Sequence, residues 1–535
     1  MSATMTCRVK PYIQPFERKL ALLELESLAN DTPHAMPVIG EEPQCYRVQS
    51  AKSAKILARE LAYWEAVCDE RSIITTQSLR ESTVNVVRNG ISLEALAEQI
   101  PFKNDVPLPN RRCLRYGTHG LHEYRGKFFP QLVRSLINIA DVPNGGLVGD
   151  PFSGSGTTAV ESILAKRRAL GLDMNPLSVF MAKVKCNLLG VSFTEIERAY
   201  LMVRNDLLGP RKWKKDRTWI SNLSEVDRAY LTEWFDPALL GELDEIATCI
   251  DTQTRGPVRD FMMLCLSNIL RKVSWQKVDD LRVRRELKSV DEIDAIKEFL
   301  EELGRSVRLV LALLRQEGTR ANVRVELAEG DSKQLETHWA KWKGKIDVAI
   351  TSPPYATALP YLDTDRLSLC FLDLLPRDAH RGRDQHMIGN REITDKSRKS
   401  IWQDFSAGNH GLPDTVTDLV EKIQRMNHNH GVGFRRRNLP SLLFKYFADM
   451  KQVFRGMREV LRPGASAFVV VGNNHTIAGG QRVDIATVDL LQDVAAQVGF
   501  EIMEPVEMEM LVSRDIFKKN AIASESILHF RKLNQ

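Results

Sequence analysis

The stretch GGLVGDPFSGSGTTAVESILAKRRALGLDMNP, Gly145 to Pro176, constrains this chain more than any other. A short apolar run meets a glycine-rich turn, a segment of helical period follows, and a second apolar run ends on an acid. That order predicts a βαβ unit, which needs a parallel sheet covered on both faces. Open sheets of this kind hold their ligands beyond the carboxyl ends of the strands.

The turn itself narrows the ligand. A nucleoside-triphosphate loop would carry GxxxxGK[ST], and no lysine follows the glycines of DPFSGSGTT. A dinucleotide loop would place a third glycine where Ala159 stands. What remains is a ligand with an adenosine part and no phosphate tail, approached closely by the backbone at Gly154 and Gly156. Asp150 closes the first strand, and Asp173 closes the second, where an acid can accept from both ribose hydroxyls. Asp331, in AEGDS, closes a further strand and can accept from an adenine amino group; strand-end acids also cap helices.

A second stretch, IDVAITSPPYATALPYLD (Ile346 to Asp363), runs a buried-strand pattern into tandem prolines. Pro353 and Pro354 cannot continue a ladder, so the chain must leave the sheet at the strand's carboxyl end.

At 535 residues, two or three domains are expected. Residues 1–111 read as a helical N-terminal region, with STVNVVRNGISLEALAEQI as a plain helical pair. Residues 112–176 and 321–535 read as one α/β domain, interrupted by a helical insertion at 177–320. The strip 376–440 is polar and basic with few periodic apolar residues, and reads as an inserted loop region. The eight cysteines form no CxxC pair, which predicts reduced packing residues in a cytoplasmic protein and neither disulfides nor a metal site. His428 and His430 have no thiol or carboxylate at ligand spacing. No signal peptide and no apolar run of membrane-spanning length occurs.

DPFSGSGTT followed later by TSPPY resembles the S-adenosylmethionine-dependent DNA amino-methyltransferases, the second string matching the cytosine-N(4) branch. Upstream, THGLHEYRGKFFPQL (Thr118 to Leu132) is similar to the segment that closes over the cofactor in that group, with Arg125 where a proline is common. VELAEGDSKQL is similar to the third cofactor motif. The resemblance implies a doubly wound, mostly parallel, Rossmann-like class I methyltransferase sheet and S-adenosyl-L-methionine as cofactor. It assigns the cofactor to Asp150, Phe152, Gly154, Gly156, Thr157, Asp173, Asp331 and Thr351, with Phe128 or Phe129 packing over it. It assigns the base to Ser352, Pro353, Pro354 and Tyr355.

The chemistry explains that choice of residues. An exocyclic amino group is a poor nucleophile because its lone pair is delocalised into the ring. The Ser352 hydroxyl and the Pro353 carbonyl are expected to accept from the amino hydrogens and draw the lone pair back onto nitrogen, held ready by the stiff turn. Tyr355 offers a face to an extruded base; flipping costs a few kcal/mol, and stacking returns about 1–3 kcal/mol of it. In this family Ser at position 352 is typical of cytosine enzymes, and Asp or Asn of adenine enzymes. Carbon methylation would need a nucleophilic cysteine, usually after proline, and none of the eight follows one. The expected reaction is N(4)-methylation of cytosine in duplex DNA. The rivals are adenine-N(6) methylation, an RNA methyltransferase of similar fold, and a non-catalytic DNA-binding subunit.

The net charge of +5 does not argue for nucleic acid, so local runs must. Arg271 and Lys272 lie in a basic segment around Trp275, and Arg435, Arg436 and Arg437 follow Phe434; both runs suit phosphate contact. Either insertion, or the N-terminal region, is expected to read the target. A cognate restriction endonuclease is the partner the resemblance suggests, with no membrane involved.

Overall fold

The computed structural model describes residues 2–38, 41–88, 90–98, 108–124, 126, 128–209, 218–277, 283–287, 293–320, 324–356, 362–390, 393–428, 432–509 and 524–534. Arg125 and His430 therefore lie outside the described residues.

The N-terminal region is not helical throughout, as its charge pattern suggests. It forms an antiparallel sheet of β1 (Ala3–Val9), β2 (His34–Val38), β3 (Glu41–Ser50), β4 (Trp64–Cys68) and β5 (Ser72–Ile74), ordered β2-β3-β1-β4-β5. The apolar alternation of these half-buried strands is thin: in β1 only Met5, Cys7 and Val9 are buried. The helix Pro15–Ala29 is as expected, and its apolar face packs against the helix Pro130–Ile139. The helical pair expected at STVNVVRNGISLEALAEQI has its first member, Thr76–Arg88, largely buried, in keeping with a structural role.

The central sheet contains β6 (Leu147–Asp150), β7 (Arg168–Asp173), β8 (Val325–Glu329), β9 (Ile346–Thr351) and β10 (Leu461–Gly472). A small hairpin, β11 (Asn474–Ala478) and β12 (Gln481–Ile485), precedes the last two sheet strands, β13 (Phe500–Glu509) and β14 (Ser524–Lys532). The order is β13-β14-β10-β9-β6-β7-β8, parallel throughout except for β14, which runs antiparallel between β10 and β13. The chain turns from β6 toward β7 and β8 on one side, while β9 and β10 lie on the other. The crevice between the ends of β6 and β9 is thus the switch point of a doubly wound sheet.

Both faces of the centre of this sheet are covered, which is why β9 and the second half of β10 read as nearly continuous apolar runs. Val148, Val348, Ile350 and Val470 pack on Leu132, Val133 and Leu136, in a cluster that continues into Leu20, Leu25 and Leu57 of the N-terminal region. Their neighbours in register, Leu147, Ala349 and Val469, face Phe447, Val453 and Phe454 of the long helix Phe434–Val460. Each such side chain fully buried is worth about 1.5–3 kcal/mol.

The insertion between β7 and β8 is helical, as expected, from Pro176–Leu188 to Ala295–Glu317. The strip between β9 and β10 is helical too, which corrects the loop reading: it holds His380–His386, Asp395–Ser406, Asp414–His428 and the start of Phe434–Val460. Its helices present little more than one apolar residue per turn. In Asp414–His428 the buried apolar residues are Val416, Val420 and Ile423, a helical spacing too sparse to stand out from the polar majority.

Buried polar pairs join the three regions. Glu24 accepts from the N–H groups of Ala62 and Tyr63 and from Asn138, whose Nδ2 lies 2.8 Å away. Arg167 reaches Glu60 at 3.0 Å, and Arg80 reaches Glu317 at 2.7 Å. Tyr116, His119 and Arg134 converge on Glu161, just behind the glycine-rich turn. Burial alone would raise the Glu161 carboxyl, but His119 and the Arg134 and Arg80 guanidinium groups hold it down at about 2. No helix among the described residues is long and apolar enough to cross a membrane.

Candidate active site

A cavity of about 630 Å³ opens beyond the ends of β6, β7 and β9, where the sheet topology places a ligand. Of the residues singled out in the sequence, Phe128, Phe129, Phe152, Gly154, Thr157, Asp173, Asp331 and all four of Ser352, Pro353, Pro354 and Tyr355 line it. The two motifs, some two hundred residues apart in sequence, thus face one space. Asp150, Gly156 and Thr351 do not line it.

Those three shape the wall from behind. Asp150 is buried, accepts from the Phe152 N–H at 3.1 Å and from the Thr351 hydroxyl at 2.7 Å, and so ties the end of β6 to the end of β9. Burial pushes its carboxyl up to about 6. Gly156 has φ +82° as the residue preceding the helix Thr157–Leu164, and a Cβ there would lie 2.6 Å from that of Ala182. Its freedom serves close helix packing rather than close approach to a ligand.

Asp173 does line the cavity while holding the loop in place. Its two oxygens accept from the N–H groups of Gly154, at 2.8 Å, and Asn175, at 2.9 Å. Burial raises its carboxyl to about 6 in spite of those donors. Asp331 lies two residues beyond β8; it caps the short turn Ser332–Gln334 by accepting from the Lys333 N–H at 3.0 Å, and it lines the cavity as well. It can therefore serve as cap and as cavity acceptor together.

The Pro-Pro turn is held by distant elements. Gly389, at φ +77°, packs so tightly that a Cβ there would lie 2.7 Å from the Tyr355 carbonyl oxygen. Asn474 donates to the Ala356 carbonyl at 3.2 Å. The Tyr355 hydroxyl donates to Glu525 of β14. Ser352 and Tyr355 are half-buried at the cavity rim, so neither is consumed by the core.

Several lining residues escape a reading of the sequence. Tyr124 lies within the quoted segment before Phe128, and Asn175 closely follows the Asp173 strand, so both sit inside legible motifs. Met387 and Ile388 come from the strip that reads as loop, and Glu525 from the final strand; no local pattern marks them.

The basic residues lie elsewhere. Arg435, Arg436 and Arg437 form the exposed first turn of the helix Phe434–Val460. Lys272 is paired with Glu298, and Arg271 donates to the Lys277 carbonyl at 3.3 Å, so the first run is partly engaged within its own insertion. The cysteines are all unpaired, and no cluster fit for a metal ion occurs among the described residues.

A carboxylate, an amide side chain and aromatic rings around a glycine-rich loop suit a nucleoside with a hydroxylated sugar, so the residues present fit S-adenosyl-L-methionine. Comparison with known proteins finds DNA methyltransferases. The family model N6_N4_Mtase, described as a DNA methylase, matches residues 103–183. Type II methyltransferase M.MvaI of Kocuria varians is 27% identical over 372 residues, covering 66% of this chain and 77% of its own length. Type II methyltransferase M.BsoBI of Geobacillus stearothermophilus is 22% identical over 453 residues, covering 76% of this chain and 83% of its own. Among solved structures, TTHA0409 of Thermus thermophilus, in complex with S-adenosyl-L-methionine, is 20% identical with a TM-score of 0.15. It covers 17% of this chain, and the matched part spans 38% of that protein.

Proposed function

We propose, from the premise that this chain is a member of the S-adenosylmethionine-dependent DNA amino-methyltransferases, that it methylates the N(4) amino group of cytosine in duplex DNA. The observation that carries this reading is the convergence of Gly154, Asp173, Ser352 and Tyr355 on one cavity.

When bound, S-adenosyl-L-methionine supplies a sulfonium methyl group. Asp173 would hold its ribose, Asp331 its adenine amino group, and Phe128, Phe129 and Phe152 would give apolar contact. Ser352 and the Pro353 carbonyl would accept from the base amino group and localise its lone pair for attack, while Tyr355 stacks on the ring. Because that turn is fixed before the base arrives, much of the rate advantage is positioning. After transfer the amino nitrogen has one proton to lose, and the rim position of Ser352 leaves a path to solvent. Serine at 352 is what favours cytosine over adenine.

The helical regions 177–320 and 376–440 are the candidates for reading the target. The exposed turn Arg435–Arg437 suits phosphate contact. A restriction endonuclease of the same specificity is the expected partner in a cytoplasmic host-protection pair.

Mass spectrometry of nucleosides from duplex DNA incubated with the protein and S-adenosyl-L-methionine tests the reading. N(4)-methylcytosine is expected. N(6)-methyladenine alone would overturn the base assignment, and transfer to tRNA in preference to duplex DNA would overturn the substrate.

A further inference from the structure

A phenylalanine following the tandem prolines would stack on a base as well as a tyrosine does, so the hydroxyl of Tyr355 needs its own explanation. That hydroxyl donates to Glu525, whose side chain also lines the cavity. Glu525 is the more rigid partner. It sits on β14 opposite Gly472 of β10 and Met508 of β13, so its backbone is fixed from both sides. Tyr355 belongs to a turn with no strand pairing of its own.

The environment of Glu525 points the same way. Val470 and Met508 stand on the same stretch of wall, and a carboxyl set among apolar neighbours is costly without a donor. Burial raises its pKa, and the hydrogen bond from Tyr355 works against that rise.

We propose that Glu525 is a positioning residue for the base: by accepting the Tyr355 hydroxyl hydrogen it fixes the plane of the ring on which the extruded base stacks. This rests on the reading of Tyr355 as the stacking platform. Glu525 does not touch the reacting atoms; it acts through Tyr355.

The test uses the full-length protein, tritiated S-adenosyl-L-methionine and amplified genomic DNA free of modified bases. Glu525→Ala and Tyr355→Phe should each raise the KM for DNA and lower kcat/KM about tenfold, the scale of one hydrogen bond to a charged group. Calorimetric affinity for S-adenosyl-L-methionine should stay within about twofold, which also reports that each variant is folded. The double variant should be no worse than either single one, because both remove the same bond. Glu525→Gln keeps an acceptor and should recover most of the loss. Additive losses in the double variant, or wild-type kinetics in Tyr355→Phe, would overturn the positioning role. Tyr355→Ala separates the two levels. If it alone is impaired, stacking survives and the role of Glu525 falls; if it too is as active as wild type, the platform reading itself falls.

Discussion

The two walls of the cavity are built by opposite means. On the wall proposed for the cofactor, several bonds that set the course of the loop stay within the β6–β7 unit: Asp150 to Phe152, Asp173 to Gly154 and Asn175. On the base side, the turn at Ser352 is braced by Gly389, Asn474 and Glu525, each from a different later element. The first wall is set largely by one βαβ unit, with Phe128, Phe129 and Asp331 added from outside it and Ser332 and Thr351 bonded to its loop. The second exists only when the strip between β9 and β10, the β11–β12 hairpin and β14 have all docked. Base handling should therefore be more open to disturbance from far along the chain than cofactor handling.

Ser352→Ala is the sharpest way to separate the walls. Removing one preorganised polar group from a reacting centre should lower turnover by about 100-fold. Calorimetric affinity for S-adenosyl-L-methionine should stay within about twofold; a matching loss of affinity would break the distinction. Gly389→Ala probes the bracing from a distance. A Cβ there meets the Tyr355 carbonyl at a positive φ, and strain of ~1–3 kcal/mol should cut turnover roughly tenfold or more, again with cofactor binding spared.

Asp173→Asn addresses the other wall and should weaken cofactor binding about tenfold while leaving DNA retention on filters unchanged. The pH dependence has a definite sign. Asp173 accepts best when ionised, and its carboxyl stands at about 6, so affinity should be lost as pH falls through that value. The loss should level off at about tenfold, the cost of the neutral side chain, and titration calorimetry of Asp173→Asn should show the dependence flattened. The smallest effect is expected from replacing Arg435, Arg436 and Arg437 together with alanine. If they touch phosphates, the salt slope of DNA binding should shrink by about 0.9 for each phosphate no longer neutralised, with no change in which base is modified.

The same contrast explains what is legible in the sequence. β6, β7 and β9 are covered on both faces, so each is a largely apolar run, and the Gly-rich and Pro-Pro turns at their ends are equally plain. The half-buried strands β1 to β5 interleave apolar residues with Thr, Arg and Gln, and pass for charged helix. Val416, Val420 and Ile423 carry a true helical period, but one apolar residue per turn is too weak to mark a helix. Asp150 and Gly156 stand out in the sequence as special, yet they act behind the wall rather than on it. Glu525 has no local signal at all: an acid opening a strand carries meaning only once the fold brings Tyr355 to it.

The polar pairs that cross from the N-terminal region into the rest of the fold carry a lesson for anyone cutting this molecule apart. Arg167 and Glu317 would each lose a buried partner, Glu60 and Arg80 respectively, if the first hundred or so residues were removed. Losing the partner of a buried charge costs up to about 3–5 kcal/mol, reduced here because Glu317 keeps Arg320 and Arg167 keeps the Val142 carbonyl. The opening segment is accordingly no detachable module that could be traded between enzymes. It behaves as a keel, and a truncated protein should come out insoluble rather than merely less selective.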